Sequence, residues 1–175
     1  MGKRILILAT DGFEQSELIE PRKALEAAGF ETVVASPQPG EIKGWDHDNW
    51  GESVRVDAVL GEVEAEDFDA LLLPGGQMNP DSLRLEDEVI CLIEEFDEAD
   101  KPIAAICHGP SLLAEADVLE GRAVTAWPSI QTDLENAGAQ VFNEEVMIDG
   151  NIITGRGPDD LPAFSRALID ALNAT

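Results

Sequence analysis

Short apolar runs of strand length alternate along this chain with segments of helical periodicity. The predicted strands are residues 4–9, 32–35, 70–73, 103–106 and 123–126, with a hairpin over 146–154 around Asp149-Gly150-Asn151. The predicted helices are residues 18–28, 87–99, 110–116, 129–137 and 159–172. Residues 37–57 have neither period, and we predict a long loop there with a small hairpin. The alternation favours an α/β fold with a doubly wound, mostly parallel sheet sandwiched by helices.

Size and charge limit the function classes. The 175 residues suit a single domain, 1–175, with its own hydrophobic core. The net charge is −25, and because nucleic acid and anionic membranes attract positive charge, neither is expected as a partner. Lysine is scarce, with four residues. An acidic, lysine-poor surface suits concentrated salt, which screens its self-repulsion, so our hypothesis is a halophilic source.

The cysteines and the first residues bear on the compartment. Only Cys91 and Cys107 are present, which gives no disulfide framework and suits a reducing environment. No apolar run reaches the roughly 18 residues of a membrane span, and residues 1–4 lead into a strand without the features of a signal peptide. A cytoplasmic protein is therefore expected.

The run from Pro102 to Pro110 indicates a mounted nucleophile. A short apolar strand stops at Cys107, and a Gly-Pro pair then opens a helix. A side chain at such a nucleophile elbow projects from the carboxyl edge of a parallel sheet, and the free N–H groups of the helix favour a thiolate there. The alternative is a small residue buried at a strand end. Cys91 has apolar neighbours in a predicted helix, and we assign it to the core.

His108 has two interpretations. Adjacent side chains diverge at a turn, so the imidazole need not reach the Cys107 sulfur, and a lone histidine is more often a structural hydrogen-bonder. Paired with the cysteine, it would tune the thiolate or act as acid or base near neutral pH.

Two acids and two glycines complete the predicted site. Glu14 and Glu17 follow the first strand and can face Cys107 if the two strands are neighbours. A carboxyl beside a thiolate should hold its proton, or act as the base of the reaction. Gly75 and Gly76 end another strand with free N–H groups, which suit an oxyanion hole together with the N–H of His108.

Aromatic and imidazole side chains are candidates for the pocket wall. Trp127 suits either a wall or the core, and Trp45 with His47 suits a rim formed by the long loop. Two distant histidines without helical spacing do not make a metal site, so neither a metal nor another cofactor is expected.

These segments together resemble the PfpI family, the intracellular protease and protein deglycase group that includes the Parkinson-associated deglycase. The resemblance runs nearly end to end, and it implies a flavodoxin-like, class I glutamine amidotransferase-like fold. It rests on Asp11-Gly12-Phe13-Glu14 with Glu17 to Pro21, Leu73-Pro74-Gly75-Gly76 with Pro80 to Arg84, Ala105 to Pro110, Trp127-Pro128-Ser129, and Asp149 to Thr154 with Pro158 to Leu161.

The resemblance also implies roles. Cys107 matches the family nucleophile, Glu17 the carboxyl that contacts it, and Glu14 a second acid nearby. His108 matches the histidine of the PfpI-type site, where an acid from a neighbouring subunit can complete a triad. Asp81 stands where that acid falls, although the loop here is one residue longer.

Trp127 replaces a tyrosine of some relatives, so no hydroxyl is available from that side chain. A homo-oligomer, dimer or hexamer, is expected because the triad of the PfpI-type site is completed across a subunit interface.

The family's activities leave several functions open. The favoured one is a stress-protection enzyme acting on a small aldehyde or a glycated protein or peptide. It would either convert methylglyoxal to lactate as a glyoxalase or act as a protein deglycase, through the Cys107 thiolate and Glu17 as proton shuttle. One alternative is an intracellular cysteine endopeptidase that uses Cys107, His108 and an acid. The other is a redox sensor or holding chaperone without catalysis.

Overall fold

The computed structural model describes residues 2–175. The strands formed there are β1 Arg4–Leu8, β2 Glu31–Ser36, β3 Glu41–Asp46, β4 Asn49–Arg55, β5 Ala58–Val59, β6 Ala70–Leu73, β7 Ile103–Ile106, β8 Ala123–Val124, β9 Gln140–Val141, β10 Val146–Asp149 and β11 Ile152–Gly155. The α-helices are α1 Gln15–Ala27, α2 Met78–Leu83, α3 Asp87–Glu98, α4 Pro110–Glu115, α5 Gln131–Asn136 and α6 Leu161–Ala174. Short 3-10 turns cover residues 60–62, 65–67, 128–130 and 158–160.

Seven strands form the central sheet, in the order β10-β11-β7-β6-β1-β2-β5. All pairings are parallel except β10 with β11, the predicted hairpin at one edge. The chain runs outward from β1 to β2 and β5, then returns to β6 on the other side of β1. This reversal between β1 and β6 is the kind of switch point where open α/β sheets bind ligands, beyond the carboxyl ends of the strands.

Helices cover both faces of the sheet. Along β1, Leu6 and Leu8 belong to one buried cluster, and Ile5 and Ile7 to the other. The first cluster includes residues of α3, α4 and α5, and the second includes residues of α1 and α6. This two-sided burial explains why the parallel strands are continuously apolar in the sequence. Within residues 2–175, no helix combines the length and apolar composition needed to cross a membrane.

The doubly wound architecture agrees with the prediction, but several details differ. Residues 41–55 form a complete β3–β4 hairpin, which is longer than predicted from its alternating end. Residues 78–83 form α2, which was not predicted. The predicted helix at 129–137 is a 3-10 turn followed by the shorter α5. The strand at 123–126 is shorter too, and as β8 it pairs with β9 in a separate small sheet.

The assignment of Cys91 to the core is wrong, because its side chain is exposed on α3. The buried face of this helix is made by Val89, Leu92, Ile93 and Phe96. The prediction was wrong because it relied on the apolar neighbours of Cys91 in the sequence, whereas adjacent helical residues point about 100° apart.

Candidate active site

Cys107 lies at a strained turn between β7 and α4. Its φ is +62°, in the left-handed region that is costly for a residue with a side chain. The turn is fixed on both sides, since the Cys107 N–H donates to the Gly155 carbonyl at 3.0 Å and its own carbonyl accepts from the Trp127 N–H at 3.0 Å. Cys107 is 6% exposed and lines a cavity of about 460 Å³. The sulfur is therefore buried at the edge of the sheet, beside open space.

Glu17 reaches this sulfur across a strand end that carries no side chain. The sequence prediction required β1 and β7, the strands before Glu17 and Cys107, to be neighbours. They are not, because β6 lies between them. Gly75, just after β6, fills the gap: a Cβ there would lie 2.5 Å from Glu17 Oε1 and 2.8 Å from the Cβ of Cys107. Only glycine allows the acid and the cysteine to approach each other at this point.

The carboxyl of Glu17 is completely buried. Its Oε1 accepts a hydrogen bond from the Gly75 N–H at 3.1 Å. Its Oε2 has no hydrogen-bond partner of good geometry among the described residues. Burial, and secondarily the charge of Glu14, raise the pKa of Glu17 to about 8, while interactions with Cys107 and with the backbone N–H groups of Gly75 and Gly76 act the other way. Glu17 is therefore mainly protonated at neutral pH.

The Cys107 thiol has opposing influences. Burial, and then the charge of Glu17 when ionised, raise the pKa of the thiol, whereas the N–H groups of Gly76 and His108 favour the thiolate. The sequence predicted that the helix would lower this pKa. Because α4 has only six residues, its effect on the thiol pKa is smaller than that of burial. The sulfur holds its proton at rest and needs an acceptor for it when it attacks.

His108 is placed where it can accept that proton. Its Nδ1 lies 3.3 Å from the Cys107 Sγ, so the two side chains meet despite being adjacent in the sequence. Its Nε2 lies 3.2 Å from Ser129 Oγ, and the ring stacks on Trp127 with centroids 6.1 Å apart. Burial lowers the pKa of His108. A neutral imidazole is therefore available beside the thiol.

One of the three N–H groups predicted to form the oxyanion hole has another partner. The Gly75 N–H is already bonded to Glu17, so it holds the acid and is not free for a substrate oxygen. The N–H groups of Gly76 and His108 interact with the sulfur. They remain the candidates for binding negative charge that develops beside it.

The remaining predicted residues divide between two cavities. Glu14, Trp45, His47 and Trp127 line the cavity of Cys107. Burial and the charge of Asp46 raise the pKa of Glu14, although His47 acts against them.

Asp81 lines a second cavity of about 330 Å³, on another side of His108. Asp81 and His108 therefore share this cavity, and the subunit contact that the resemblance implies stays a prediction.

The grouping of His, Cys, Asp and Glu side chains bears on metal binding. No group of three or more His, Cys, Asp or Glu within residues 2–175 is arranged to hold a metal ion. The Cys107 cavity instead presents a thiol, an imidazole and a protonated carboxyl. This set suits nucleophilic addition with proton transfer.

Comparison with known proteins agrees with this geometry. The family model described as "DJ-1/PfpI family" matches residues 3–171. The chain belongs to the DJ-1/PfpI family. The fold prediction, flavodoxin-like and class I glutamine amidotransferase-like, is confirmed by the likeness to DJ-1beta of Drosophila melanogaster, with a TM-score of 0.89, 30% identity, and coverage of 100% of this chain and 92% of that one.

Two relatives carry names that describe an activity. The chain is 44% identical over 172 residues to "Putative cysteine protease YraA" of Bacillus subtilis (strain 168), covering 98% of this chain and 99% of the relative. It is also 44% identical over 177 residues to "Protein/nucleic acid deglycase 2" of Escherichia coli (strain K12), covering 99% of this chain and all of that protein. These names point to an enzyme and leave the reaction open.

Sequence reasoning missed some members of the site. Gln77, Met78 and Pro158 line the Cys107 cavity, and Ser129 contacts the imidazole. Ser129 stood within the Trp127-Pro128-Ser129 motif, but a hydroxyl carries no signal in a sequence until a partner is known. Gln77 and Met78 lie at the start of the unpredicted α2.

Proposed function

We propose that this protein is a cysteine-dependent enzyme that acts on reactive aldehydes, converting methylglyoxal to lactate or removing early aldehyde adducts from proteins. The observation that carries the proposal is the completely buried Glu17, whose pKa is raised to about 8 beside Cys107. A carboxyl with that pKa can both donate and accept a proton near neutral pH, as an isomerisation between two carbons requires.

The first step is addition to the aldehyde. The Cys107 sulfur attacks the aldehyde carbon and forms the C–S bond, while His108 Nδ1 takes the thiol proton. Glu17 gives its proton to the carbonyl oxygen, which yields a hemithioacetal. At this point the imidazole is positively charged and the carboxylate negatively charged.

The second step moves a hydrogen between carbons. Glu17 removes the proton from the carbon bonded to sulfur, which gives an enediolate, and returns it to the adjacent carbon. The hydroxyl proton passes between the two oxygens, and the product is a lactoyl thioester of Cys107. Water then cleaves the C–S bond, giving one proton to Glu17, and His108 returns the thiol proton. The sum is methylglyoxal plus water to lactic acid, with each side chain restored.

A deglycase reaction uses the same groups on a larger substrate. The sulfur would attack the adduct carbon, and the protein amine or thiol would leave with a proton from Glu17 or His108. The cavity of about 460 Å³, which Trp45 and Trp127 help to line, leaves room for an adduct on an exposed side chain.

A second candidate is the endopeptidase, which one distance favours. Peptide cleavage needs a general acid for the leaving amine, and His108 Nδ1 at 3.3 Å from Sγ can fill that role. The relative named as a putative cysteine protease agrees with this candidate. The buried acid at Glu17 has no comparable role in peptide hydrolysis, so we place this function second.

The test compares the wild-type protein with Cys107→Ser and with Cys91→Ser as the matched control. Lactate formation from methylglyoxal is expected from the wild type and from Cys91→Ser at equal rates, and none from Cys107→Ser. Turnover by Cys107→Ser would overturn the proposal. A fluorogenic peptide cleaved by the same samples, without lactate formation, would favour the endopeptidase. Selective oxidation of Cys107 without any turnover would favour a redox sensor.

A second measurement separates the two aldehyde reactions. A peptide adduct of methylglyoxal is incubated with and without enzyme in the presence of an excess aldehyde scavenger. Repair above the uncatalysed rate is expected only if the enzyme acts on the adduct itself. Repair that disappears with the scavenger would limit the activity to free methylglyoxal.

A further inference from the structure

The imidazole of His108 is held at three points, and two of them come from one short segment. The Trp127 ring stacks on the imidazole with an interplanar angle of 27°, and Ser129 Oγ lies 3.2 Å from Nε2. The third point is the Cys107 sulfur at Nδ1. Both ring nitrogens of His108 therefore have a partner from the same chain.

This segment is anchored to the nucleophile turn itself. The Trp127 N–H donates to the carbonyl of Cys107 at 3.0 Å, and residues 128–130 then form a 3-10 turn. Behind the indole lies Gly157, where a Cβ would be 3.1 Å from two ring atoms. The backbone of this segment is thus bonded to the nucleophile turn, while the Trp127 side chain stays 41% exposed.

We infer that Ser129 is a positioning residue for His108, and that its hydroxyl holds the imidazole from within the same chain. The inference rests on the proposed function, in which His108 carries the thiol proton. Cys107, His108 and Ser129 then form a relay that a single chain completes.

A hydroxyl suits this place because its oxygen accepts a hydrogen bond without carrying a charge. In the neutral imidazole that can accept the thiol proton, the ring proton is on Nε2 and this N–H donates to Ser129 Oγ, which leaves the Nδ1 lone pair facing the Cys107 thiol. When Nδ1 takes the thiol proton, Nε2–H donates to the lone pairs of Ser129 Oγ. The ring therefore keeps its orientation in both protonation states. A carboxylate would hold the ring as well, but it would stabilise the imidazolium and make the return of the proton harder.

The charged groups around His108 must be considered in any titration. Asp81 on α2, Arg84 directly after that helix and Asp133 on α5 line the second cavity with His108. Glu14 and Glu17 line the Cys107 cavity on the other side. All of them are unchanged in variants of Ser129, so a difference between such variants reports on position 129.

The experiment follows the two imidazoles by NMR in the full-length protein as the pH is changed. The variants are Ser129→Ala, Ser129→Thr and Ser129→Asp, with Ser111→Ala as the matched control because its hydroxyl donates to the His108 backbone carbonyl at 2.8 Å and not to the ring. His47, whose side chain is 88% exposed, serves as the internal reference, and a His47→Gln sample assigns the two signals.

Three results are expected. Ser129→Asp raises the titration midpoint of His108 clearly, because a carboxylate at Nε2 stabilises the imidazolium, while the His47 midpoint stays constant. Ser129→Ala lowers kcat for methylglyoxal about two- to ten-fold with KM unchanged, the amount expected for one lost hydrogen bond. Ser129→Thr, which keeps the hydroxyl, restores kcat.

Two results would overturn the inference. One is a His108 midpoint in Ser129→Asp equal to that of the wild type; the other is a kcat in Ser129→Ala equal to that of Ser111→Ala. Absence of turnover in every sample, together with the shifted midpoint in Ser129→Asp, supports the relay geometry and rejects the proposed function instead.

Discussion

The two cysteines of this protein have opposite surroundings. Cys91 is exposed on α3, whereas Cys107 is 6% exposed and lies between a buried acid and an imidazole. Exposure gives Cys91 access to reagents, but an acid and an imidazole able to exchange protons near neutral pH lie around Cys107. The difference teaches that a catalytic thiol is recognised by its proton donors and acceptors more than by its access to solvent.

The largest expected effect comes from closing the gap between Glu17 and Cys107. Gly75→Ala places a Cβ 2.5 Å from Glu17 Oε1, so the acid or the cysteine must move, and turnover should fall at least about a thousand-fold because proton transfer depends on contact. Lactate formation at saturating methylglyoxal measures this.

Gly61→Ala is the control, since a Cβ there meets nothing within 4 Å. Equal turnover by the two variants would show that close contact between Glu17 and Cys107 is not required for the reaction.

The next effect concerns stability and pH. Glu17 has a pKa of about 8 when folded and an ordinary value of 4.5, so the unfolded chain loses this proton first as the pH rises. Stability from this group is thus present below about pH 4.5 and is lost progressively up to about pH 8. Glu17→Gln has no carboxyl proton to lose. Its free energy of unfolding should therefore exceed that of the wild type by about 4 kcal/mol at pH 8.

Chemical denaturation at pH 5 and pH 8 measures the free energy of unfolding of both proteins. A difference that does not change between these pH values would show that Glu17 is not buried in its protonated form. Glu94→Gln, which changes an exposed acid one turn from Cys91, should follow the wild type at both pH values.

A third effect concerns turnover. Glu17→Gln keeps the shape of the carboxyl but cannot shuttle a proton, so kcat for methylglyoxal should fall about a hundred-fold or more. Glu94→Gln should again match the wild type, although it removes an acid near the other cysteine. A loss in both variants would mean that overall charge, and not the acid beside Cys107, controls the rate.

The smallest effect is a difference in thiol modification. At pH 7 iodoacetamide should alkylate Cys91 at least about ten-fold faster than Cys107, because burial restricts access to Cys107 and raises the pKa of its thiol. Mass spectrometry after cleavage at glutamate separates the two sites, and the rates should converge in denaturant. Faster modification of Cys107 would show that this thiol is ionised at rest, as the sequence predicted.

Much of the fold follows from the sequence because buried parallel strands and amphipathic helices leave periodic patterns. The elbow at Cys107 was visible as an apolar strand followed by Gly-Pro, and the acids after β1 were visible by their position. Strand order was not visible, since it depends on packing across the sheet. For that reason only the three-dimensional structure shows that Gly75 lets Glu17 and Cys107, which follow two non-neighbouring strands, approach each other.

Other features depend on contacts that no local pattern encodes. The thiol pKa was predicted from the helix alone, but burial decides its direction. Ser129 contacts His108 from a segment whose Trp127 N–H binds the Cys107 carbonyl, and both contacts join residues far apart in the sequence.

The β3–β4 hairpin stands apart from the central sheet and is attached to the loop after β1. The Gly12 N–H donates to Lys43 O at 2.8 Å, and the Trp45 N–H donates to Phe13 O at 2.7 Å. These bonds join backbone to backbone, so they constrain no side chain at the hairpin tip. Changes at Trp45 or His47 can therefore alter which molecules enter the cavity while the sulfur, the acid and the imidazole keep their places. Substitution in this hairpin is thus a route to altered selectivity that leaves the reacting groups in position.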